Sequence, residues 1–194
     1  MSKKQDIKEN IQRTARRLFA LNGYNATSTR DIVREAEVNI SAIAYHFGGK
    51  EGLFLSLFDN FTFRDEAEPG LSQYPAAELK DLLTKIIRLR FEDPELVTIL
   101  QQEIVVHSSR TEAVKELLVP AWLRIRSLLE LGREAGHFQF HNIYNAMNFV
   151  MAVAVFPRQN PFFKEMVEKQ ESKEAVISET IGLILRGLGW NGVE

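Results

Sequence analysis

The sequence contains no cysteine among its 194 residues. Without thiols it has no disulfide framework, no thiolate zinc or iron–sulfur site and no cysteine nucleophile. The longest uninterrupted apolar run, residues 149–156, is too short to cross a bilayer. The first residues, MSKKQDIKEN, lack the apolar stretch of a signal peptide. We therefore expect a cytoplasmic protein without a membrane partner.

Motifs for catalysis and for cofactor binding are also missing. The sequence has no nucleophile elbow, no phosphate-binding loop and no dinucleotide fingerprint. His137 and His141 have the spacing of two metal ligands on a helix, but Gly136 before them favours a loop, and no third ligand completes a site. The sequence thus predicts that the protein is not an enzyme and that it holds neither a metal nor a cofactor.

The charged residues are unevenly distributed along the chain. Residues 1–50 contain nine Lys or Arg and five Asp or Glu, a net charge of +4. Residues 51–194 contain fifteen and twenty-one, a net charge of −6. A basic first segment favours a surface for a polyanion, although an ordinary solvated surface accounts for this charge equally well.

Helical periodicity dominates the sequence, and the alternation typical of a half-buried strand is scarce. An apolar stripe with the spacing of one helix face predicts a first helix. Its members are Ile7, Ile11, Ala15, Leu18 and Phe19. Beyond residue 50, helices are predicted at about 50–65, 76–91, 95–107, 111–134, 143–156 and 173–188. We expect an all-α protein of about nine helices.

Residues 28–47, STRDIVREAEVNISAIAYHF, predict two short helices joined by a tight turn. Ser28 and Asp31 form a capping box for the first helix, and Asn39 is the candidate N-cap of the second. Helices this short need the helix before them as a third wall. Three helices of this size form the helix-turn-helix unit, whose last helix enters the major groove of DNA.

The last of these three helices has the side chains that a reading helix needs. Small residues at its front let the backbone approach the base edges. They are Ser41, Ala42 and Ala44. We expect Ile43 and Phe47 to face inward, and Tyr45 and His46 to reach outward, where a hydroxyl and an imidazole suit phosphate oxygens.

Two flanking helix starts are suited to phosphate binding. Lys50 lies in the first turn of the fourth helix, where free N–H groups and the helix dipole attract an anion. Thr27, Ser28 and Thr29 lie at the start of the second helix, where hydroxyls and N–H groups can do the same. The combination predicts two phosphate clamps beside one reading helix.

These residues resemble the DNA-binding domain of TetR-family transcriptional regulators. The resemblance is carried by ARRLFALNG at 15–23, YNATS at 24–28, TRDIVREAEV at 29–38 and YHFGGKEGLF at 45–54. The rest of the chain resembles the family only in its helical pattern and its length. The implied organisation is a DNA-binding domain at 1–50, linked through a helix at about 50–65 to a domain over 51–194.

The resemblance implies a homodimer that reads a palindromic operator in double-stranded DNA. It implies that the C-terminal domain dimerises and binds a small-molecule effector, whose identity the sequence does not disclose. By position, the implied phosphate contacts are Thr27, Thr29, Tyr45, His46 and Lys50, and the residues along the base edges are Ser41, Ala42 and Ala44.

The sequence departs from the family pattern at two positions. Ala44 stands where many members have a tyrosine, so that contact is absent. Glu37 stands where many have a glycine, and a non-glycine residue in a left-handed turn costs about 1 kcal/mol. Either the turn is shaped differently or Glu37 extends the second helix.

The C-terminal part offers candidates for a pocket and for an interface. A mostly apolar pocket with a few polar groups is the usual form of a ligand site. Candidate pocket residues are Phe58, Phe61, Phe91, Gln102, His107, Trp122 and Arg126, and for most of the aromatic ones plain core packing is the alternative. The apolar helices at 143–156 and 175–188 are candidates for a dimer interface, with burial inside one chain as the alternative.

The sequence therefore predicts a sequence-specific transcriptional regulator, a repressor that its effector releases from DNA. The alternative is a helical protein-interaction module of the same fold that binds DNA only non-specifically.

Overall fold

The computed structural model describes residues 3–59, 72–106, 108–156, 171–190 and 192. Across these ranges all regular structure is helical, which confirms the all-α class. The described helices are α1 (Lys3–Asn22), α2 (Thr29–Glu35), α3 (Ser41–Phe47), α4 (Lys50–Ser56), α5 (Pro75–Glu92), α6 (Pro94–Val105), α7 (Thr111–Glu134), α8 (Ile143–Ala154) and α9 (Lys173–Gly187). In this part of the chain no helix is both long and apolar enough for a membrane span.

The helices group into two compact units that are not consecutive along the chain. The first unit contains α1 to α4, α6 and the start of α7 up to Leu117. The second unit contains α5, the remainder of α7 from Leu118, α8 and α9. The domain boundary expected after residue 50 stays a prediction.

The core of the first unit forms around the predicted stripe of α1. Ile11, Ala15 and Phe19 have no exposed surface, because the helical period places them on one face. Helix α4 contributes Leu53 and Phe54, which are equally buried. The rings of Phe19 and Phe54 meet edge to face with their centroids 5.7 Å apart.

The turn between α2 and α3 has the left-handed conformation that its sequence makes costly. Helix α2 ends at the cap residue Ala36, and Glu37 follows with φ of 55°. The Val38 N–H donates to the Val33 carbonyl at 3.0 Å across this turn. Glu37 therefore does not extend α2; it occupies the position at which a glycine would be unstrained.

The start of α3 differs from the prediction by one residue. The helix begins at Ser41 with Ile40 at the cap position, whereas Asn39 was expected there. Asn39 still caps the helix with its side chain, whose Oδ1 accepts from the Ser41 N–H at 3.1 Å. The predicted capping box of α2 is confirmed, since Ser28 and Asp31 bond to each other's backbone N–H.

The second unit has its own core of leucine and isoleucine side chains. Leu83 and Ile87 of α5 and Leu128 of α7 are fully buried in it, with Val150 of α8 and Ile184 of α9. Helix α7 runs without interruption through its internal proline at position 120, so the expected short break is absent and the expected kink stays a prediction.

Candidate nucleic-acid interface

Helix α3 has one face in the core and one face in solvent. Ile43 is 2% exposed and anchors the helix to the first unit, while Tyr45 is 71% exposed. Ser41 and Ala44 are also exposed, and His46 is half-buried beside Tyr45. Ala42 and Phe47 are half-buried. The solvent face of α3 thus has small side chains near its N-terminus and side chains with polar groups near its C-terminus.

Two lysines of α1 lie beside the end of α3. The Lys4 ammonium is 4.9 Å from the ring centroid of Tyr45, and its hydrogen bond holds the pKa of the Tyr45 hydroxyl below the usual 10.0. The Lys8 ammonium is 5.9 Å from the ring centroid of Phe47. Sequence reasoning did not name either lysine, although the basic excess in residues 1–50 was the signal for them.

The three hydroxyl residues before and at the start of α2 are in different environments. Thr27 is 1% exposed, and its hydroxyl donates to the carbonyls of Leu18 and Gly23 at 3.2 and 2.9 Å. This side chain closes the turn after α1 and presents no surface to a phosphate. Thr29 is half-buried at the first position of α2.

Ser28 is exposed, but a carboxylate already engages its hydroxyl. Its Oγ donates to Asp31 Oδ2 at 2.5 Å, and its backbone N–H donates to the same oxygen at 3.2 Å. These bonds, followed by the effect of Arg34, hold the pKa of Asp31 below 3.8. An ionised Asp31 repels a phosphate, so Ser28 is a weaker phosphate ligand than its position suggests.

Lys50 is held by the turn that precedes α2. Its ammonium donates to the Tyr24 carbonyl at 2.6 Å and lies 4.0 Å from the Tyr24 ring centroid. Burial, together with the positive charge of Arg110, lowers the pKa of Lys50 from 10.5. An ammonium has three donors, so this bond leaves capacity for a phosphate oxygen.

Arg110, the residue before α7, reaches the same tyrosine. Its guanidinium carbon is 3.6 Å from the Tyr24 ring centroid, and its Nη2 donates to Glu103 Oε1 at 2.9 Å. Both members of this ion pair are 5% exposed. Burial raises the pKa of the Tyr24 hydroxyl above 10.0, partly offset by Arg110. Nothing in the local sequence patterns pointed to this contact.

The predicted pocket residues of the first unit have structural partners. Phe58 is 3% exposed, and its ring centroid lies 5.3 Å from that of Phe54. Gln102 donates through Nε2 to the Ala20 carbonyl at 3.1 Å and lines a cavity of about 340 Å³. Phe61 and His107 lie outside the described residues.

The predicted pocket residues of the second unit are dispersed over its helices. Phe91 is 39% exposed near the end of α5. Trp122 is partly buried against the core of this unit, and Arg126 is exposed and paired with Glu130 at 3.3 Å. The pocket stays a prediction. Among the residues that the structure describes, no group of three or more His, Asp or Glu could hold a metal ion.

Comparison with known proteins gives consistent matches. Residues 11–57 match the family described as bacterial regulatory proteins, tetR family. The probable HTH-type transcriptional regulator YttP of Bacillus subtilis is 26% identical over 142 residues, which are 70% of this chain and 67% of that protein. The HTH-type transcriptional repressor NicS of Pseudomonas putida is 28% identical over 139 residues, which are 68% of this chain and 66% of that protein.

A solved structure extends the likeness along the chain. The crystal structure of HlyIIR, a hemolysin II transcriptional regulator, has a TM-score of 0.75 and 26% identity. The match covers 95% of this chain and 98% of that one. The two sequence relatives above are matched over only about two thirds of their length.

Proposed function

We propose that this chain, whose residues 11–57 match the tetR family of bacterial regulatory proteins, is a DNA-binding transcriptional repressor which binds a palindromic operator as a homodimer and is released by a small-molecule effector. The observation that carries the proposal is the solvent face of α3, where Tyr45 is 71% exposed beside the ammonium of Lys4. A relative, NicS, is named a repressor.

In the proposed complex α3 lies in the major groove. Small side chains bring its backbone close to the base edges, and Ala44 offers a methyl group, which suits the methyl of thymine. Tyr45, His46 and Lys50 are the proposed phosphate contacts, to which Lys4 adds a charge. Thr29 remains in the proposed set with Ser41 and Ala42, and the buried Thr27 is omitted from it.

A palindromic operator requires two copies of α3 related by a two-fold axis. We place the dimer contact on α8 and α9, because each helix has an apolar side that the core of its own unit leaves open. Tyr144 and Phe149 of α8 are 71% and 37% exposed, and Leu183 of α9 is 51% exposed. Two such helices from each copy can pack as a four-helix bundle.

Release requires an effector that binds the two states of the dimer with different affinity. Operator half-sites on successive turns of DNA place the two reading helices about 34–36 Å apart. An effector bound in the C-terminal part would change this distance through α4, which follows α3 directly in the chain.

The first test is selection of duplexes from a random DNA pool by the purified protein, followed by sequencing. We expect a recovered palindrome. Tyr45→Ala with Lys50→Ala should then abolish binding to that duplex, whereas Tyr74→Ala, at a tyrosine 61% exposed in the second unit, should leave it unchanged. In wild type, log K should fall with log salt by about 0.9 per phosphate contacted.

Three outcomes would contradict parts of this proposal. Unchanged affinity in the Tyr45 and Lys50 double variant would reject the proposed contacts, and a flat salt response would reject the phosphate clamps. No enrichment from folded protein would favour the alternative, a helical interaction module that binds DNA only non-specifically.

The dimer has its own test, in sedimentation equilibrium. Leu183→Arg should yield monomer, because it places a charge in the proposed interface. Leu123→Arg is the matched control, since Leu123 of α7 is 52% exposed and lies outside α8 and α9. A dimer that survives Leu183→Arg but not Leu123→Arg would move the interface to α7.

A further inference from the structure

The first unit contains a buried ion pair for which stability is a weak explanation. Glu103 of α6 and Arg110, just before α7, are each 5% exposed. Removing two charges from water costs several kcal/mol per ion, and apolar residues of similar volume often serve stability as well or better. A network that fixes a side chain in one place is a better reason for such a pair.

The surrounding bonds do fix this arginine. Ser108 Oγ donates to the second oxygen of Glu103 at 3.0 Å, and the Arg110 backbone N–H donates to that hydroxyl at 3.2 Å. The Ser108 N–H in turn donates to Thr111 Oγ1 at 2.9 Å. The connection from α6 to α7 is therefore tied to the carboxylate that orients the guanidinium.

Arg110 shares an aromatic ring with a proposed phosphate contact. Its guanidinium carbon lies 3.6 Å from the Tyr24 ring centroid, and the Lys50 ammonium lies 4.0 Å from the same centroid. A cation over a tyrosine ring is attracted to it, whereas two cations at one ring repel each other. The position of the Lys50 ammonium therefore depends on where Arg110 stands.

The same ring also belongs to the packing of the helix-turn-helix segment. Tyr24 stacks on Phe19 with centroids 5.4 Å apart and meets Phe54 edge to face at 5.2 Å. The Tyr24 backbone carbonyl accepts a hydrogen bond from the Lys50 ammonium at 2.6 Å. A shift of Tyr24 thus moves both contacts of Lys50 with this residue, the ring and the carbonyl.

We propose that Arg110 is a positioning residue for operator binding, which acts by holding Tyr24 and, through it, the ammonium of Lys50. This role rests on the proposed DNA-binding function. It makes operator affinity depend on the α6–α7 connection, although this connection contributes none of the proposed DNA contacts. Movement of Glu103 or Arg110 is transmitted to Lys50 through the Tyr24 side chain.

The test is a double-mutant cycle on operator affinity. Glu103→Gln with Arg110→Met removes both buried charges and leaves neither unpaired; the reference is the wild-type protein. We expect the operator to bind about tenfold more weakly, which is the effect of losing one charge-assisted hydrogen bond. The slope of log K against log salt should become smaller by about 0.9 for each phosphate contact that is lost. In a Lys50→Ala background the same pair of changes should cost nothing further, because Lys50 carries the effect.

The matched control is Arg124→Met. Arg124 is 3% exposed and pairs with Glu78 in the second unit, so its loss should lower the unfolding midpoint and leave affinity per folded protein unchanged.

Arg110→Lys is the second variant, for use if the paired change prevents folding. It retains a charge for Glu103 and loses the planar guanidinium. It should weaken binding about threefold, and Lys50→Ala should erase that loss.

The outcomes separate this role from the proposed function. A wild-type protein that selects no duplex overturns the DNA-binding proposal before any variant is made. A wild-type protein that binds its operator, combined with an Arg110 effect that is absent or is equally large with and without Lys50, overturns the positioning role alone.

Discussion

The contact between α3 and α4 depends on Gly52. Gly52→Ala therefore tests whether the position of α3 is set by its close approach to α4. A Cβ atom at this position would lie 1.9 Å from the Phe47 carbonyl oxygen and 3.1 Å from its carbon. Both are backbone atoms, so no rotamer change relieves the clash. Helix α4 would have to move away from the end of α3 by roughly 1 Å to restore a tolerable contact.

Two opposing effects set the size of the expected change. Alanine is the better residue in a helix by about 1 kcal/mol. Overpacking a close contact costs about 1–3 kcal/mol, and more where the backbone must shift. We expect Gly52→Ala to lower the free energy of unfolding by about 2 kcal/mol. Because Phe47 ends α3, the displacement reaches Tyr45 and His46, so operator affinity should fall as well.

The measurement is urea unfolding followed by circular dichroism, with operator binding titrated on the same preparations. Gly182→Ala is the control for the stability measurement alone, because α9 belongs to the proposed dimer interface; the nearest atom to its added Cβ is the flexible end of Arg186 at 3.1 Å. That variant should be as stable as wild type or more so, by up to about 1 kcal/mol. A Gly52→Ala protein with wild-type stability and affinity would show that α3 and α4 do not approach this closely.

Three further predictions concern the helix-turn-helix segment. Glu37→Gly should raise the free energy of unfolding by about 1 kcal/mol in urea titration, because Glu37 has φ of 55°; a lowered midpoint would contradict the strain. Ser28→Ala should lower the free energy of unfolding by about 1 kcal/mol, because the variant loses the side chain that caps α2. Ser41→Ala is its control and should not have this effect, since Ser41 accepts no capping hydrogen bond from α3. The pKa of Asp31 is lower in the folded protein than the usual 3.8, so its contribution to the free energy of unfolding is present above pH 3.8 and is lost as the pH falls through the folded value. Asp31→Asn should therefore remove this part of the acid sensitivity in unfolding titrations from pH 5 to pH 2. A variant with the same pH profile as wild type would refute the prediction.

Local features of this fold could be predicted because they depend on neighbours in sequence. The stripe containing Ile11, Ala15 and Phe19 is one face of one helix, and helical spacing is enough to identify it. The capping box of Ser28 and Asp31 is likewise formed within four residues. The alternation of buried Ile43 with exposed Tyr45 follows from the same periodicity.

The turn at Glu37 is a place where sequence reasoning was wrong. Both expected alternatives, a turn of another shape and an extension of α2, avoided the left-handed conformation that Glu37 adopts. This conformation is present because Ile32 and Val33 of α2 and Ile43 of α3 must all face the core of the first unit. Packing of these two helices outweighs a local cost of about 1 kcal/mol.

By itself the sequence determined which residues share a helix, roughly where most of the described helices lie, and the resemblance of residues 11–57 to TetR-family regulators. Only the tertiary structure decided that Thr27 is buried, that Lys4 lies beside Tyr45, and that Arg110 stacks on Tyr24. Periodicity specifies the face of a helix on which a residue lies, whereas a partner on another helix is set by how the two helices pack. The proposed phosphate contacts depend on both: the helical period sets the face of the helix on which each residue lies, and the packing of the helices sets which side chains lie beside it.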